Sequence, residues 1–550
     1  MDVKGAERNN VAELLSYSAR HWPEHPAVAE PLGSAWDSIT FAELDRQSDQ
    51  IAKGLIARGL RPGTRIALLV PAGIQFVKWV FALFKARSVV ILIDPGMGKQ
   101  NLIRCLSAAE PAGFVGIRKA HLARLIYRHH FPHARFNVLV QGRYWPGCIT
   151  ERRLRQTTST DSLPSGHANE PAAIIFTTGS TGPPKGVLYS HCNFLHQAEE
   201  IRNYFQIEAL GADISGFPLF ALFNSSMGKT TVFPKMDFTR PASIDPQNFI
   251  QAVEHWQATQ AFGSPALLNT LGRYCEKTGT KLRGLKRVLS AGAPVPPHVL
   301  RRMKSCIADD GEVFTPYGAT EALPVACNSA TQVLGETAEL TARGQGVCVG
   351  KRFPGIEWQI IEITDDPITS IQATKSLDAG QIGELLVSGP VVTTEYVTRT
   401  EANALHKVHD QNRVWHRMGD VGYLDDQDRF WMCGRKSHRV TTETITLFTI
   451  PCEAIFNTHP HIYRSALVGL GEPGKQVPAI VAEPWPEHWP QSSVAHDKLL
   501  GELKGLANAN KLTDQIQQFY LKRELPTDIR HNSKIFREQL SSWIAQQARK

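Results

Sequence analysis

Residues 177–186 combine the side chains and the backbone freedom that hold phosphate groups. The segment reads TTGSTGPPKG and follows the apolar residues 174–176. Its glycines allow positive φ and a close approach of the backbone to an anion. Its hydroxyl groups donate to phosphate oxygens, and Lys185 adds a positive charge. Because no Gly-Lys-Ser/Thr stands at the Walker A spacing, we predict a phosphate-binding loop of another type.

The alternative interpretation of residues 177–186 is a disordered linker rich in Gly, Ser, Thr and Pro. A linker of that composition is normally bounded by polar sequence on both sides. Here an apolar run precedes the segment directly and another, GVLYS at 186–190, follows it. The flanking pattern therefore favours a loop between two ordered strands.

The segments before and after this loop predict a parallel sheet that presents it. Strand–helix–strand alternation is visible before the loop, at 65–70, 75–84 and 89–93, and is typical of βαβ units. It resumes at 258–290, which ends in the turn Ala291-Gly292-Ala293-Pro294. Open α/β sheets bind ligands at the carboxyl ends of their strands. We therefore expect both glycine-containing turns to lie at such ends.

The pattern changes in the second half of the chain. Residues 383–389 and 422–431 read as antiparallel strands with an acidic turn. From about residue 435 a smaller region of mixed strands and helices begins. The sequence therefore predicts an α/β protein, with helices packed on mixed and parallel sheets, a β-rich subdomain, and a small α+β region at the C-terminal end.

Composition excludes several classes of protein. The chain has 550 residues, too many for one ordinary core. Its most apolar long stretch, 76–93, contains Lys78, Lys85 and Arg87, which argues against a membrane span. The N-terminus lacks the apolar core of a secretory signal. We expect no transmembrane segment.

Charge and cysteine usage narrow the class further. The net charge of +8 is spread along the chain and not concentrated in one stripe, which argues against a nucleic-acid partner and leaves a mild bias toward anionic substrates or a membrane surface. Nine cysteines without a Cys-x-x-Cys pair suggest reduced thiols in a cytoplasmic protein.

Six motifs occur in a fixed order, and together they resemble the adenylate-forming superfamily of acyl-CoA synthetases, adenylation domains and luciferases. They are TTGSTGPPKG at 177–186, GAPV at 292–295, YGATE at 317–321, GELLVSGP at 383–390, GD at 419–420 and GR at 434–435. The resemblance covers about residues 10–545. It implies a large N-terminal adenylation domain, 1–433, and a small mobile C-terminal domain, 434–550, that carries Lys534. It also implies that ATP and a carboxylate give an acyl-adenylate and pyrophosphate.

The resemblance implies ATP and Mg²⁺ as cofactors and assigns roles to residues that match its motifs. Lys534, Lys185 and Glu321 would be catalytic, and Glu321 would also bind Mg²⁺. The nucleotide would be bound by Thr177, Thr178, Gly179, Ser180, Thr181, Gly182, Gly292, Ala293, Pro294, Tyr317, Gly318, Thr320, Asp420 and Arg435.

Three of these residues have simpler interpretations. A lysine near a C-terminus, such as Lys534, is normally a solvated surface charge. Asp420 could cap a turn. Glu321, beside Thr320, could occupy the first turn of a helix.

The chain departs from the superfamily at two places. Thioester-forming members carry an acidic residue or lysine where this chain has Ser437, followed by a glycine-containing turn that admits pantetheine. Residues 437–445 contain no glycine, and β-branched Thr takes positive φ poorly. Many relatives have a His where Ala221 stands, in the apolar segment FPLFALF at 217–223, so we expect a larger and less polar acyl site. The alternative is that this segment is part of the protein core, as apolar segments more often are.

These departures resemble one branch, the olefin β-lactone synthetases of bacterial long-chain hydrocarbon biosynthesis. The matching segments are FPLFALFN, DPGMGKQNL at 94–102 and DIRHNSKIFRE at 528–538. This resemblance implies a long-chain 2-alkyl-3-hydroxyalkanoate substrate, whose own 3-hydroxyl attacks the adenylate and closes a β-lactone. It also implies work beside a β-lactone decarboxylase and a ketoacid reductase, with peripheral membrane contact left open.

Two other functions remain open from the sequence. One is a long-chain fatty-acyl-CoA ligase or fatty-acyl-AMP ligase. The other is a nucleotide-binding scaffold without catalysis, which the presence of Lys534, Glu321 and Lys185 argues against.

Overall fold

The computed structural model describes residues 8–157, 162–177, 183–411, 413–527 and 535–547. Within these ranges the strands form sheets of seven, fourteen, three and two strands, with helices packed against them. The predicted α/β class, with mixed sheets in a large N-terminal part and a smaller α+β C-terminal part, is confirmed.

The seven-stranded sheet presents the phosphate-loop segment. Its strands are parallel except for the last pair, which is antiparallel. Their order across the sheet is Ile149–Thr150, Phe136–Leu139, Gly113–Gly116, Arg65–Leu69, Val89–Leu92, Pro171–Phe176 and Gly186–Ser190. The predicted strands at 65–70 and 89–93 are thus confirmed within a residue.

The apolar stretch at 76–93 is a core helix followed by a strand. In the helix Ile74–Lys85 every residue is buried except Gln75. Lys78 Nζ lies 2.6 Å from a Glu151 oxygen, and Lys85 Nζ lies 2.6 Å from an Asp45 oxygen. A helix that is apolar all round is buried in a core, and its two lysines are neutralised by ion pairs. In the part of the chain that the structure describes, no helix has the length and apolar character needed to cross a bilayer.

The fourteen-stranded sheet contains both parallel and antiparallel strands of the N-terminal part. Its middle strands, between Pro26–Leu32 and Glu312–Ala319, are parallel, and its other pairs are antiparallel. The strands predicted as a β-rich subdomain therefore continue the parallel sheet by hydrogen bonding. The order is Glu357–Ile361, Gly383–Ser388, Arg413–Leu424, Arg429–Arg435, Val347–Arg352, Ala322–Ser329, Glu312–Ala319, Arg287–Leu289, Gln260–Phe262, Ala212–Ser215, Thr230–Val232, Pro26–Leu32 and Ala35–Thr40, with Lys407–Asp410 beside Arg413–Leu424.

Helices connect and cover these strands, and several begin at a side-chain cap. Thr40 accepts from the Glu43 amide, and Ser190 forms a reciprocal capping box with Asn193, which satisfies amides that lack an intrahelical partner. The α-helices of the large part are Ala12–His21, Phe41–Ala57, Ile74–Lys85, Lys99–Ala108, Arg118–Ile126, Glu151–Arg155, His191–Tyr204, Phe220–Ser226, Pro246–His255, Pro265–Thr278, Pro297–Cys306, Ala330–Gln332, Ala338–Ala342 and Ala402–His406.

The last part of the chain has its own small sheet and core. The strands Ile462–Leu470 and Val477–Pro484 are antiparallel, and Gln518–Leu521 joins the latter in parallel. The strands Val440–Thr441 and Thr446–Leu447 form a separate short pair. The helices of this part are Thr449–Phe456, Ser493–Asn508 and Arg537–Gln547.

The two parts meet just after Arg435, where the last strand of the large sheet ends. Lys436 Nζ donates to the buried Glu384 carboxylate at 3.1 Å and to the Thr364 carbonyl at 2.8 Å. Arg439 forms an ion pair with the exposed Asp365. Lys436 is thus fixed to the large part.

Candidate active site

The base of the phosphate-loop segment is closed by Thr177 and Lys185. The Thr177 amide donates to the Lys185 carbonyl at 3.0 Å, and the Lys185 amide donates to Thr177 Oγ1 at 3.0 Å. The strands Pro171–Phe176 and Gly186–Ser190 pair on either side. Its two ends are therefore joined to the strands of a β-hairpin at the carboxyl end of a parallel strand, as predicted, which favours the loop over the linker interpretation. Thr178, Gly179, Ser180, Thr181 and Gly182 lie outside the described residues.

The Lys185 side chain reaches a group of residues that the motifs do not contain. Its Nζ donates to His406 Nε2 at 3.1 Å and lies 4.7 Å from the centre of the Tyr396 ring. Tyr396 arrives there because residues 395–397 run along the strand Gly186–Ser190, with the Leu188 amide donating to the Glu395 carbonyl. Lys185 is thus oriented by an imidazole and an aromatic face.

Electrostatics keep His406 neutral beside Lys185. Burial, reinforced by the charges of Lys185 and Lys436, lowers the pKa of His406 to about 3. Its Nε2 can therefore accept the lysine N–H at neutral pH. Burial also lowers the pKa of Lys185, which the Glu321 carboxylate opposes and Arg435 reinforces.

Glu321 is a buried carboxylate held close to Lys185. It lies in the turn between the strands Glu312–Ala319 and Ala322–Ser329, so the alternative of a helix first-turn residue is wrong. The Tyr396 hydroxyl donates to Glu321 Oε1 at 2.6 Å. The Thr393 amide and hydroxyl both donate to the Glu321 carbonyl at 2.9 Å.

Lys407 stabilises the Thr393 side of this arrangement. It is fully buried, and its Nζ donates to the Thr393 carbonyl at 2.5 Å and to Thr393 Oγ1 at 3.2 Å. Burial lowers the pKa of Lys407 to about 7. Because Thr393 holds the Glu321 backbone carbonyl, Lys407 supports the Glu321 turn through Thr393, and its charge also interacts with the Glu321 carboxylate directly.

Tyr317, Asp420 and Arg435 form a second cluster. The Tyr317 hydroxyl donates to Asp420 Oδ2 at 2.5 Å, and Arg435 Nη1 donates to Asp420 Oδ1 at 2.7 Å. Asp420 stands within the strand Arg413–Leu424 and pairs with Arg435 across the ladder, so the turn-capping alternative is wrong. The Asp420 carboxylate raises the pKa of Arg435, and burial with Asp420 raises the pKa of Tyr317.

The remaining predicted residues lie at two turns. Gly292, Ala293 and Pro294 follow the strand Arg287–Leu289 at its carboxyl end, as predicted, and Gly292 has a φ of 97°. Gly318 lies at a bulge of its strand, where a Cβ would come within 2.7 Å of the Ala322 carbonyl oxygen. The Thr320 carbonyl accepts from the Tyr189 hydroxyl.

These contacts bring five of the predicted residues, Lys185, Glu321, Tyr317, Asp420 and Arg435, into one region. Lys185 and Tyr396 each interact electrostatically with Glu321 and Arg435, and Arg435 contacts Asp420. Lys534 lies outside the described residues. The sequence reasoning missed His406, Lys407, Thr393 and Tyr396. Their only signal was that this polar and aromatic stretch, 393–407, stands between two of the ordered motifs.

The donor set at this site fits ATP and a hard divalent cation. Mg²⁺ is usually held by one or two carboxylates together with substrate phosphates. Glu321 offers one such carboxylate, beside the cation of Lys185. Among the described residues there is no cluster of three or more His, Cys, Asp or Glu that could hold a metal alone.

The two places where the sequence departs from the superfamily pattern are the segment after Arg435 and the segment around Ala221. Thr442 Oγ1 accepts from the amides of Thr444 and Ile445, and no residue of 437–445 has positive φ. Ala221 is fully buried in the short helix Phe220–Ser226, where the Phe220 ring stacks on Phe262 at 4.1 Å.

Comparison with known proteins identifies the family. The AMP-binding enzyme family matches residues 15–397. The chain is 42% identical to an olefin beta-lactone synthetase of Xanthomonas campestris over 98% of each chain, and 39% identical to one of Stenotrophomonas maltophilia over 98% of this chain and 99% of that one. The fold matches the o-succinylbenzoate coenzyme A synthetase of Bacillus subtilis in complex with ATP and magnesium ion (TM-score 0.75, 21% identity, 97% of this chain and 100% of the other). The ordered motifs, the hairpin base formed by Thr177 and Lys185, and these matches together establish that the chain belongs to the AMP-binding enzyme family, the adenylate-forming ligases.

Proposed function

We propose that this protein is an ATP-dependent, AMP-forming β-lactone synthetase. It would activate a long-chain 2-alkyl-3-hydroxyalkanoate as its acyl-adenylate and close the β-lactone, releasing AMP and pyrophosphate. The observation that carries the proposal is the near-full-length identity of 42% to an olefin beta-lactone synthetase. The segment 437–445 contains no glycine and no residue with positive φ. This supports the proposal because a β-lactone synthetase uses no external thiol and therefore needs no glycine turn to admit one.

The first step is attack of the substrate carboxylate on the α-phosphorus of ATP. The bond to the bridging oxygen of pyrophosphate breaks, and the acyl–AMP bond forms. Such a reaction depends on positioning and on neutralising phosphate charge. We propose that residues 177–182 and Lys185 hold the leaving pyrophosphate, with His406 and Tyr396 orienting the lysine.

We propose that Glu321 binds Mg²⁺, which neutralises phosphate charge when bound. The hydrogen bond from Tyr396 fixes the carboxylate, and Thr393 fixes its backbone. For the nucleoside, we propose that Asp420 accepts from the ribose hydroxyls, while Tyr317 and the 292–294 turn flank the adenine. The contacts of Tyr317 and Arg435 with Asp420 support this role because they fix both carboxylate oxygens in one orientation. The backbone at Gly318 and Thr320 completes the nucleotide pocket.

The second step is intramolecular. The 3-hydroxyl oxygen attacks the acyl carbon, the bond from that carbon to the AMP oxygen breaks, and the hydroxyl proton leaves to the AMP phosphate or to water. Holding nucleophile and electrophile in one molecule supplies the high effective concentration that a bound thiol would otherwise need. We propose that Lys534, carried by a mobile domain of residues 434–550 against an adenylation domain of 1–433, contacts the carboxylate and α-phosphate in the first step.

The setting of the enzyme follows from its substrate and thiols. We propose a cytoplasmic location, supported by nine free cysteines, which a reducing compartment maintains. We also propose that the protein acts in one pathway, and in a possible assembly, with a β-lactone decarboxylase and a ketoacid reductase. Long alkyl chains on substrate and product favour peripheral membrane contact.

The deciding experiment supplies a racemic 2-alkyl-3-hydroxy acid with ATP and Mg²⁺ and no CoA. We expect AMP release together with a β-lactone, detected by NMR. AMP release without lactone would overturn the proposal. Pyrophosphate release from simple fatty acids that rises with added CoA would instead support a fatty-acyl-CoA ligase.

A further inference from the structure

The helix Arg118–Ile126 turns apolar side chains outward. Leu122, Leu125 and Ile126 are 51%, 40% and 63% exposed. Their spacing of three and four residues places them on one face of the helix. A surface helix normally turns such a stripe toward the core, whereas here only His121 is buried.

Positive charge surrounds this apolar stripe. Residues 111–150 contain six Arg or Lys and no Asp or Glu. Arg118 and Lys119 stand at the start of the helix and Arg128 just beyond its end, all three exposed. Among the described residues none of the six basic side chains in 111–150 forms an ion pair with a carboxylate. Their charge is therefore available to an anionic partner.

A second exposed element adjoins the start of the helix. Tyr144, in the loop after the strand Phe136–Leu139, is 72% exposed. The loop lies against the helix, since a Cβ at Gly142 would be 3.6 Å from Arg118 Nε. We call Arg118, Lys119, Leu122, Leu125, Ile126 and Tyr144 the basic apolar patch.

The patch lies beside the edge that carries the phosphate loop. The strand Gly113–Gly116, which leads into the helix, is parallel to Arg65–Leu69, Val89–Leu92 and Pro171–Phe176 in one sheet. The helix thus starts at the same carboxyl edge at which the phosphate loop begins. A surface bound there would lie at the same edge of the sheet as Thr177 and Lys185.

We propose that the basic apolar patch docks the protein on an anionic lipid bilayer. A helix with exposed leucines and flanking basic groups inserts its apolar face at the boundary of headgroups and acyl chains, while Lys and Arg attract anionic lipids. Tyrosine favours the same interface because one end of its side chain is apolar and the other polar. A nucleic acid would use the charge and leave the apolar stripe without a partner. The docking is independent of the lactone chemistry.

The test is flotation of the full-length protein with vesicles of phosphatidylcholine alone and with 30% phosphatidylglycerol, at low and high salt. We expect binding only to the anionic vesicles, weakened by salt. The double change Arg118→Gln, Lys119→Gln should weaken binding roughly 25-fold, at about fivefold per charge. Ile126→Ser should weaken it roughly tenfold.

Matched controls keep the test sharp. Val494→Ser removes a side chain that is 77% exposed elsewhere, and Lys475→Gln with Lys511→Gln removes two exposed charges; neither should change binding. Thermal unfolding and adenylation of a short-chain acid should be unchanged in every variant, which separates docking from folding and from catalysis.

Three results would overturn the proposal. The first is failure of the unaltered protein to bind anionic vesicles, and the second is equal weakening by the control variants. The third is absence of vesicle binding together with either of two other activities. These are tight binding to duplex DNA and self-association that is lost in Ile126→Ser, and each would assign the patch to a different partner.

Discussion

Replacing His406 by Ala should slow adenylation with little effect on the fold. Among the described residues His406 is the only side chain that accepts a hydrogen bond from Lys185 Nζ, at 3.1 Å, and its low pKa of about 3 keeps the ring an acceptor. A hydrogen bond to a charged group contributes about 1.5–3 kcal/mol. If that contribution orients Lys185 toward pyrophosphate, kcat/KM for ATP should fall by roughly ten- to 150-fold.

The assay is exchange of labelled pyrophosphate into ATP, which reports adenylation without the lactone step. His406→Gln keeps an acceptor oxygen and should recover part of the rate. His409→Ala, an exposed histidine on the neighbouring strand, is the matched control and should behave as the unaltered protein. A His406→Ala variant that folds normally and exchanges within twofold of the unaltered rate would refute the role of His406.

Three further outcomes are expected. Lys534→Ala should abolish AMP formation while ATP still binds by calorimetry; unchanged turnover would remove the role proposed for that lysine. Tyr317→Phe removes a donor from the buried Asp420 and should weaken ATP binding about tenfold, for a loss of about 1.4 kcal/mol; equal affinity would contradict the ribose assignment. Burial lowers the pKa of Lys407 from 10.5 to about 7, so between these values the unfolded chain binds more protons and stability rises with pH. Lys407→Met lacks this titrating group. The free energy of unfolding of Lys407→Met minus that of the unaltered protein, measured with urea, should therefore fall by up to about 1.4 kcal/mol per pH unit from pH 7 to pH 10. A difference that does not change with pH would count against a neutralised lysine.

Local pattern was enough for the elements that hold the phosphate-loop segment. An apolar strand, a glycine-rich segment and a second apolar run predict a loop between two strands, and the hydrogen bonds between Thr177 and Lys185 show that these strands form a hairpin. The pair Asp420 and Arg435 also follows from short motifs, since both stand on neighbouring strands of one hairpin. In each case the partners are close in sequence or joined by a turn.

The contacts around Lys185 could not be predicted in this way. His406 is 221 residues away from Lys185, and the two meet because residues 395–397 run beside the strand Gly186–Ser190. Which distant strands become neighbours is decided by burial over the whole core, and a local window does not contain that information. For the same reason the sequence separated a β-rich subdomain that the structure joins to the parallel sheet.

The anchoring of Lys436 bears on the proposed mobility of the C-terminal part, because it limits where the chain could bend. Lys436 is tied to buried Glu384 and to the Thr364 carbonyl, and the short turn Lys436–His438 is held by the Arg439 amide and guanidinium, which donate to the Lys436 carbonyl. The next contact, Arg439 with Asp365, is an ion pair whose acid is 68% exposed. Exposed pairs are weak and are screened by salt. If the C-terminal part reorients as proposed, added salt should therefore weaken this ion pair and ease the motion, while the contacts of Lys436 with buried Glu384 persist.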